Sequence, residues 1–418
     1  MLAKKRRMGD LQQQLAELRT RIAKIDQKYS RREAAPERET PLLPRPAHQY
    51  VEEWLSGEEV ETSFGRHFET EKLYERHRRH GSADIGSLAD LPADLLDAIF
   101  DGAANTPCAE WAFLDTETTG LSGGSGTCAF LVGVGRITPE GFRVRQFFMR
   151  DYAEEASLLD ALTRHLAEFR VLITYNGRTF DQPLLETRYR LNRARPPFAR
   201  MEHLDLLFGA RRLWKLRFAS CRLVDLENQI LGVERHGDMP GALIPYVYFE
   251  YLRTRQAARL LPVFHHNSID ILTLACLTGI VPYAFKNPAE APLRHGAEMA
   301  GLARWLREAG ETEQALKLFR RAIDAGLADD LLFKTMWDAG MLERKLGGDA
   351  LATWRDLAAG RNPFRVKALE ELAKHYEHRE KDYPRALEFT REARGYEDSA
   401  ELRRREERLH RRVASKKC

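Results

Sequence analysis

From residue 109 to residue 190 the chain strings together three closely linked apolar stretches, one striped helix, a fourth short apolar stretch and a second helix, an order open to few folds. AEWAFLDTETTG reads as a buried strand running into two acids. After the glycine-rich turn LSGGSGT come AFLVGVGRI and FRVRQFFMR as second and third strands. Connections this short predict an antiparallel meander. Residues 154–169 carry Leu158, Leu159, Leu162, Leu166 and Phe169 on one stripe, the pattern of an amphipathic helix. VLITYN is the fourth strand, and a second helix opens at Asp181 with Pro183 in its first turn, where a missing N–H costs nothing. A helical crossover makes the fourth strand parallel to its neighbour. The expected class is therefore α/β, a mixed sheet flanked by helices, followed by an all-α region.

The rest of the chain divides around that core. Residues 1–48 read as a basic amphipathic helix, with Leu11, Leu15, Leu18, Ile22 and Ile25 at spacings of three and four, followed by a proline-rich linker. This end is either a nucleic-acid arm or a solvated helix or short coiled coil. Residues 49–290 form the α/β domain around a core of 109–285, in which 50–105 act as a cover or an added strand without assignable chemistry. Over 296–396, Ala315-Leu316, Ala350-Leu351 and Ala386-Leu387 recur about 35 residues apart, close to the period of a helix–turn–helix repeat. Residues 397–418 form a basic tail.

Bulk properties exclude several classes. The five cysteines are scattered, with no C-x-x-C pair, which argues against a zinc cluster or a disulfide framework and fits a reducing compartment. No apolar run approaches the length of a membrane span, and the basic start lacks the apolar segment of a signal peptide, so a cytoplasmic location away from membranes is expected. A net charge of +4 announces no nucleic-acid binder, and any basic footprint has to be local. The glycines after Glu117 are not followed by Gly-Lys-Ser/Thr, so no Walker-type nucleotide hydrolase is indicated.

The acids carry the chemistry. Asp115 and Glu117 lie two apart at a strand end, so both side chains share one face. Carboxylates converging at the edge of a core repel unless a cation holds them, and carboxylate oxygens suit Mg²⁺ or Mn²⁺. Asp181 either joins them or caps the helix it opens. Asp270 continues the apolar face of Leu274 and Leu277 on a helix, with His266 four residues before it and His265 five before it. A charge on that stripe needs a partner, and a metal is one. Asp205 is a further acid, expected to support the site or the fold. Asn176 and Gly177 shape a turn, and Phe180 packs or stacks. Arg211, Arg212, Lys215 and Arg217, interleaved with Trp214 and Phe218, either grip phosphates and bases or form an amphipathic helix with snorkelling arginines.

DTETTG, YNGRTFD and HHNSIDILTL resemble the three motifs of the DEDD-type exonucleases, which are ribonuclease-H-like. HLDLLFGARRLWK, ILGVERHGDMPGALIPYVYFEYL and the helical repeats extend the resemblance, over about residues 50–395, to the bacterial YprB-like family, with C-terminal tetratricopeptide-type repeats. The resemblance implies a metal-dependent 3′→5′ exonuclease with two Mg²⁺ or Mn²⁺ ions, acting on DNA and belonging to repair. Asp115 would serve both ions, Glu117 and Asp270 one, Asp181 the other, and a histidine would accept the proton of the attacking water. One subclass has a histidine five before the last aspartate and another a tyrosine four before it. His265 meets the first spacing and His266 the second, and helix geometry favours His266. Thr118, Gly120, Asn176, Phe180, Arg211 and Lys215 would contact substrate. Two other readings remain open: an RNA-processing nuclease with the same site, and a non-catalytic repeat scaffold for a protein partner such as a helicase.

Overall fold

The computed structural model describes residues 50–100, 105–120 and 126–415. The N-terminal helix and linker expected over 1–48, and 121–125 of the glycine-rich turn, lie outside the described residues. In chain order the strands are β1 (Gly57–Thr62), β2 (Gly65–Glu75), β3 (Arg79–His80), β4 (Ala83–Asp84), β5 (Trp111–Thr118), β6 (Ala129–Thr138), β7 (Gly141–Phe148), β8 (Val171–Thr174) and β9 (Glu202–Asp205). The helices are α1 (Glu155–Leu166), α2 (Asp181–Leu191), α3 (Leu206–Trp214), the single turn α4 (Leu223–Leu226), α5 (Ile244–Thr254) and α6 (Leu261–Lys286). After them come α7 (Gly296–Glu308), α8 (Thr312–Asp324), α9 (Asp329–Lys345), α10 (Leu351–Ala359), α11 (Arg365–His378), α12 (Tyr383–Tyr396) and α13 (Ala400–Ser415).

Among the described residues the main sheet runs β1-β2-β7-β6-β5-β8-β9, with β3 and β4 as a separate hairpin. The meander β5-β6-β7 is antiparallel, and β8 lies parallel to β5, as the element order predicts. β9, not foreseen, adds a second parallel strand beside β8. The segment before residue 105 both extends and covers the sheet. β2 pairs with β7 and β1 with β2. Tyr74 and His80 bond to Ser268 and Thr273 of α6, 2.7 and 2.8 Å away, while Ile85, Leu88, Leu95 and Leu96 enter the core.

Alternation along β5 divides the interior. Trp111 and Phe113 face the side packed by α3 and α6, and Ala112 and Leu114 face the side packed by α1 and α5. α6 is long and apolar enough to cross a bilayer by length and composition, but 72% of its most apolar window is buried inside the fold. That burial is what a central core helix requires, since it is apolar on all sides.

The apolar cluster under α6 continues without a break into α7, α8 and α9. From there each helix packs on the next. Ala315, Ala350 and Ala386 are all buried at the starts of α8, α10 and α12, which explains the recurrence near 35 residues. The basic segment after 397 is helical over 400–415. Leu402 and Leu409 of α13 are buried, and Arg408 pairs with the buried Glu377 at 2.9 Å.

Candidate active site

Four acids from three separate elements meet at one cleft of about 230 Å³, lined by Asp115, Glu117, Asp181 and Asp270 together with Thr116, Thr118, Tyr175, Asn176, Phe180, Gly241, Pro245 and His266. The strand brings two of them. Asp115 and Glu117 share the parity of Trp111 and Phe113, so they stand on the α6 side, and a register shift between Glu117 and Thr118 ends the regular pairing there. α6 brings Asp270. Its close approach depends on Gly133, directly opposite Asp115 in β6. A β-carbon at Gly133 would lie 2.2 Å from Asn267 Oδ1 and 2.3 Å from Ile271 Cδ1.

Asp181 arrives by the β8–α2 turn. It does not cap the helix: Phe180 occupies the N-cap position without a side-chain bond. Asp181 instead accepts a hydrogen bond from Thr116 Oγ1 at 2.5 Å. Behind the turn, Asp205 accepts from the backbone N–H groups of Asn176 and Arg178, at 2.8 and 3.1 Å, while capping α3 through the Leu207 N–H. Asp205 lies outside the cleft and ties the cleft wall to β9. Asn176 adopts φ +72°, a left-handed conformation that asparagine tolerates.

The two histidines separate. His266 lines the cleft, and His265 is exposed and outside its lining. The basic–aromatic stretch also divides. Trp214 is buried in the core and unavailable to stack on bases. Arg217 and Arg212 pair with Glu298 and Glu308 of α7, at 2.6 and 3.0 Å. Arg211 and Lys215 line a neighbouring groove of about 420 Å³ that shares Tyr175 and Asn176 with the cleft. Gly120 is outside the cleft lining, and its carbonyl accepts from Thr118 Oγ1 at 2.9 Å.

Several participants escaped the sequence reading. Gln146 Nε2 donates to Asn267 Oδ1 at 2.8 Å, and Asn267 Nδ2 donates to Asp115 Oδ2 at 2.9 Å. Arg235 reaches Asp270 Oδ1 at 2.5 Å, and Asp238 lies against His266. Gln146 shares the alternation of the buried Phe142 and Val144 along β7, and a polar side chain at that parity was the signal for it. Arg235 and Asp238 sit in an irregular loop between glycines, where no periodicity exists to read.

Burial raises Asp115 and Glu117 well above the usual carboxylate range, and the neighbouring acids add to the rise. Burial lifts Asp181 to about 6 against the Thr116 hydrogen bond. Asp270 is raised by burial, with His266 and Arg235 opposing. Such a set favours a hard divalent cation, which would restore the ionised forms. Among the described residues no three His, Cys, Asp or Glu side chains already stand at metal-binding spacing. Arg235 engages Asp270 at Oδ1 and Thr116 engages Asp181 at Oδ1, bonds that orient each carboxylate and leave its second oxygen for an ion.

Comparison with known proteins agrees with this architecture. The RNase_H superfamily is matched over residues 112–281. The "Uncharacterized protein YprB" of Bacillus subtilis (strain 168) is 34% identical over 307 residues, covering 72% of this chain and 73% of that protein.

Proposed function

The chain belongs to the family of Bacillus subtilis YprB and carries a ribonuclease H superfamily domain, a nuclease-type fold that acts on nucleic acid, and from that membership we propose a metal-dependent 3′→5′ exonuclease of the DEDD type, acting on DNA. The observation that supports this reading best is the convergence of Asp115, Glu117, Asp181 and Asp270 on the cleft that also holds His266. The four acids would hold two ions, Mg²⁺ or Mn²⁺, which when bound supply an activated water and neutralise charge on the scissile phosphate.

The chain's own residues do the rest. Asn267, held by Gln146, fixes the rotamer of Asp115 from behind. Thr116 and the turn tied by Asp205 fix Asp181 on the opposite wall. His266 accepts the proton of the attacking water, a task suited to imidazole near neutral pH. His265 stands outside this scheme. Thr118, Asn176 and Phe180 form the wall against which the terminal nucleotide rests. The adjoining groove offers Arg211 and Lys215 to the following phosphates, as point and planar charges do along single strands. The paired helices from α7 onward fit tetratricopeptide-type repeats, which present a surface to a protein partner.

End-labelled DNA and matched RNA strands, incubated with Mg²⁺, Mn²⁺ or a chelator beside Asp115→Ala, test the reading. Metal-dependent laddering of DNA from the 3′ end, absent in a folded Asp115→Ala protein, is expected. Cleavage confined to RNA would replace the substrate. An inert wild type on both strands would overturn the enzymatic reading.

A further inference from the structure

The loop Gly232–Gly241 reaches the cleft lining at Gly241 and brings with it Arg235 and Asp238, whose bonds end on the His266 ring. Its base is Glu227, fully buried, whose Oε2 accepts from Arg235 Nε at 2.5 Å. Arg235 is itself only 9% exposed and extends its other nitrogens to Asp238 Oδ2 at 3.2 Å and Asp270 Oδ1 at 2.5 Å. Asp238 is thereby fixed twice, by Arg235 and by the Met239 N–H, which donates to Oδ1 at 2.9 Å. Both oxygens then lie against His266 Nδ1, at 3.0 and 2.9 Å.

Every donor around Asp238 leaves it one role. An ionised carboxylate only accepts, so the proton of this contact belongs to His266 Nδ1. Burial works against the charged form of Asp238, but the hydrogen bond from His266 and the hydrogen bond and charge of Arg235 hold its carboxyl below the usual range. With Nδ1 protonated, Nε2 carries the lone pair. That nitrogen lies on the cleft side, 3.6 Å from Asp270 Oδ2.

We propose that Asp238 is a positioning residue that locks the His266 ring and its Nδ1–H tautomer, so that Nε2 is the proton acceptor facing the cleft. The kinetic consequence rests on the nuclease reading above; the tautomer does not. Arg235 and Glu227 serve as the frame that keeps Asp238 in place. An asparagine at 238 would be isosteric yet wrong, because its NH₂ would oppose Arg235, Met239 N–H or His266 with a second donor.

The test has two arms, both on the full chain. In the first, the imidazole nitrogens of ¹⁵N-histidine-labelled, metal-free protein are observed at pH 8, with His266 assigned by its loss in His266→Gln. Wild type is expected to carry the proton on Nδ1, and Asp238→Asn to move it to Nε2. An Nε2–H tautomer in wild type would overturn the proposal. In the second arm, Asp238→Asn lowers kcat about 100-fold or more while KM stays within about threefold, the pattern of a lost general-base contribution. An unchanged kcat in a folded variant would also overturn it. Should Asp238→Asn fail to fold, Asp238→Glu carries the kinetic arm and the wild-type spectrum still decides the tautomer. A wild type without cleavage would defeat the nuclease reading and leave the spectrum to decide the role of Asp238.

Discussion

Replacing Asp181 with asparagine should stabilise the metal-free protein while destroying its proposed activity. Asp181 is 6% exposed, and burial lifts its carboxyl from the ordinary 3.8 to about 6. The folded protein therefore holds this proton more tightly than the unfolded chain. The contribution of Asp181 is fully present below about pH 4 and is lost as pH rises through about 6. At about 1.4 kcal/mol for each pH unit between the two values, the loss is on the order of 3 kcal/mol above pH 7. Asparagine keeps an oxygen to accept the Thr116 hydrogen bond and carries no charge. In EDTA at pH 7.5, thermal unfolding of Asp181→Asn should lie roughly 5–10 °C above wild type, and the difference should vanish near pH 4. Taking the difference between the two proteins cancels the titrating groups far from the cleft, whereas Asp115 and Glu117 are relieved of the Asp181 charge and add to the gain of the variant. Mg²⁺ or Mn²⁺ at about 1,000 times Kd should reverse the order, because that excess stabilises the binder by about 4.1 kcal/mol, more than the roughly 3 kcal/mol at stake, and the variant would have lost a ligand. A difference that stays flat between pH 4 and 7, or a variant less stable than wild type in EDTA, would refute the picture of a carboxyl whose charged form is penalised by burial.

The remaining expectations separate scaffold from site. Trp214→Ala should cost about 3–5 kcal/mol in chemical denaturation, because Trp214 is a core residue. Arg211→Ala combined with Lys215→Ala should leave unfolding unchanged, raise KM and flatten the dependence of log KM on log salt by roughly 1.4, as two lost phosphate contacts require. Gly133→Ala should cost about 1–3 kcal/mol and abolish cleavage, since its β-carbon would displace Asn267 from Asp115; full activity in that variant would show that α6 does not need its close seat.

How much of this could be read beforehand depends on what kind of order each element carries. The meander, α1 and β8 were legible because alternation and a 3.6-residue stripe are local patterns enforced by burial. Asp115 and Glu117 followed from the same alternation, since Trp111 and Phe113 fix the face on which both acids must stand. β9 was not legible: Glu202–Asp205 is four residues long, and its pairing with β8 is a tertiary fact. The basic–aromatic stretch could not be sorted either, because α3 presents Trp214 to the core and Arg211 to a groove while Arg217, in the turn after α3, pairs with α7, and only the position of α7 distinguishes the two arginines.

The loop with Arg235 and Asp238 is the extreme case. Gly232 and Gly237 take φ of +70° and +77°, which breaks any regular spacing between these residues and the helix they serve. Their importance appears only when charge is followed through space. Asp270 needs a cation in a buried place, and Arg235, anchored on Glu227, provides one. The same arginine orients Asp238, and Asp238 orients His266. Asp270 and the histidine beside it thus share one support, which sequence spacing along α6 could place side by side but could not reveal.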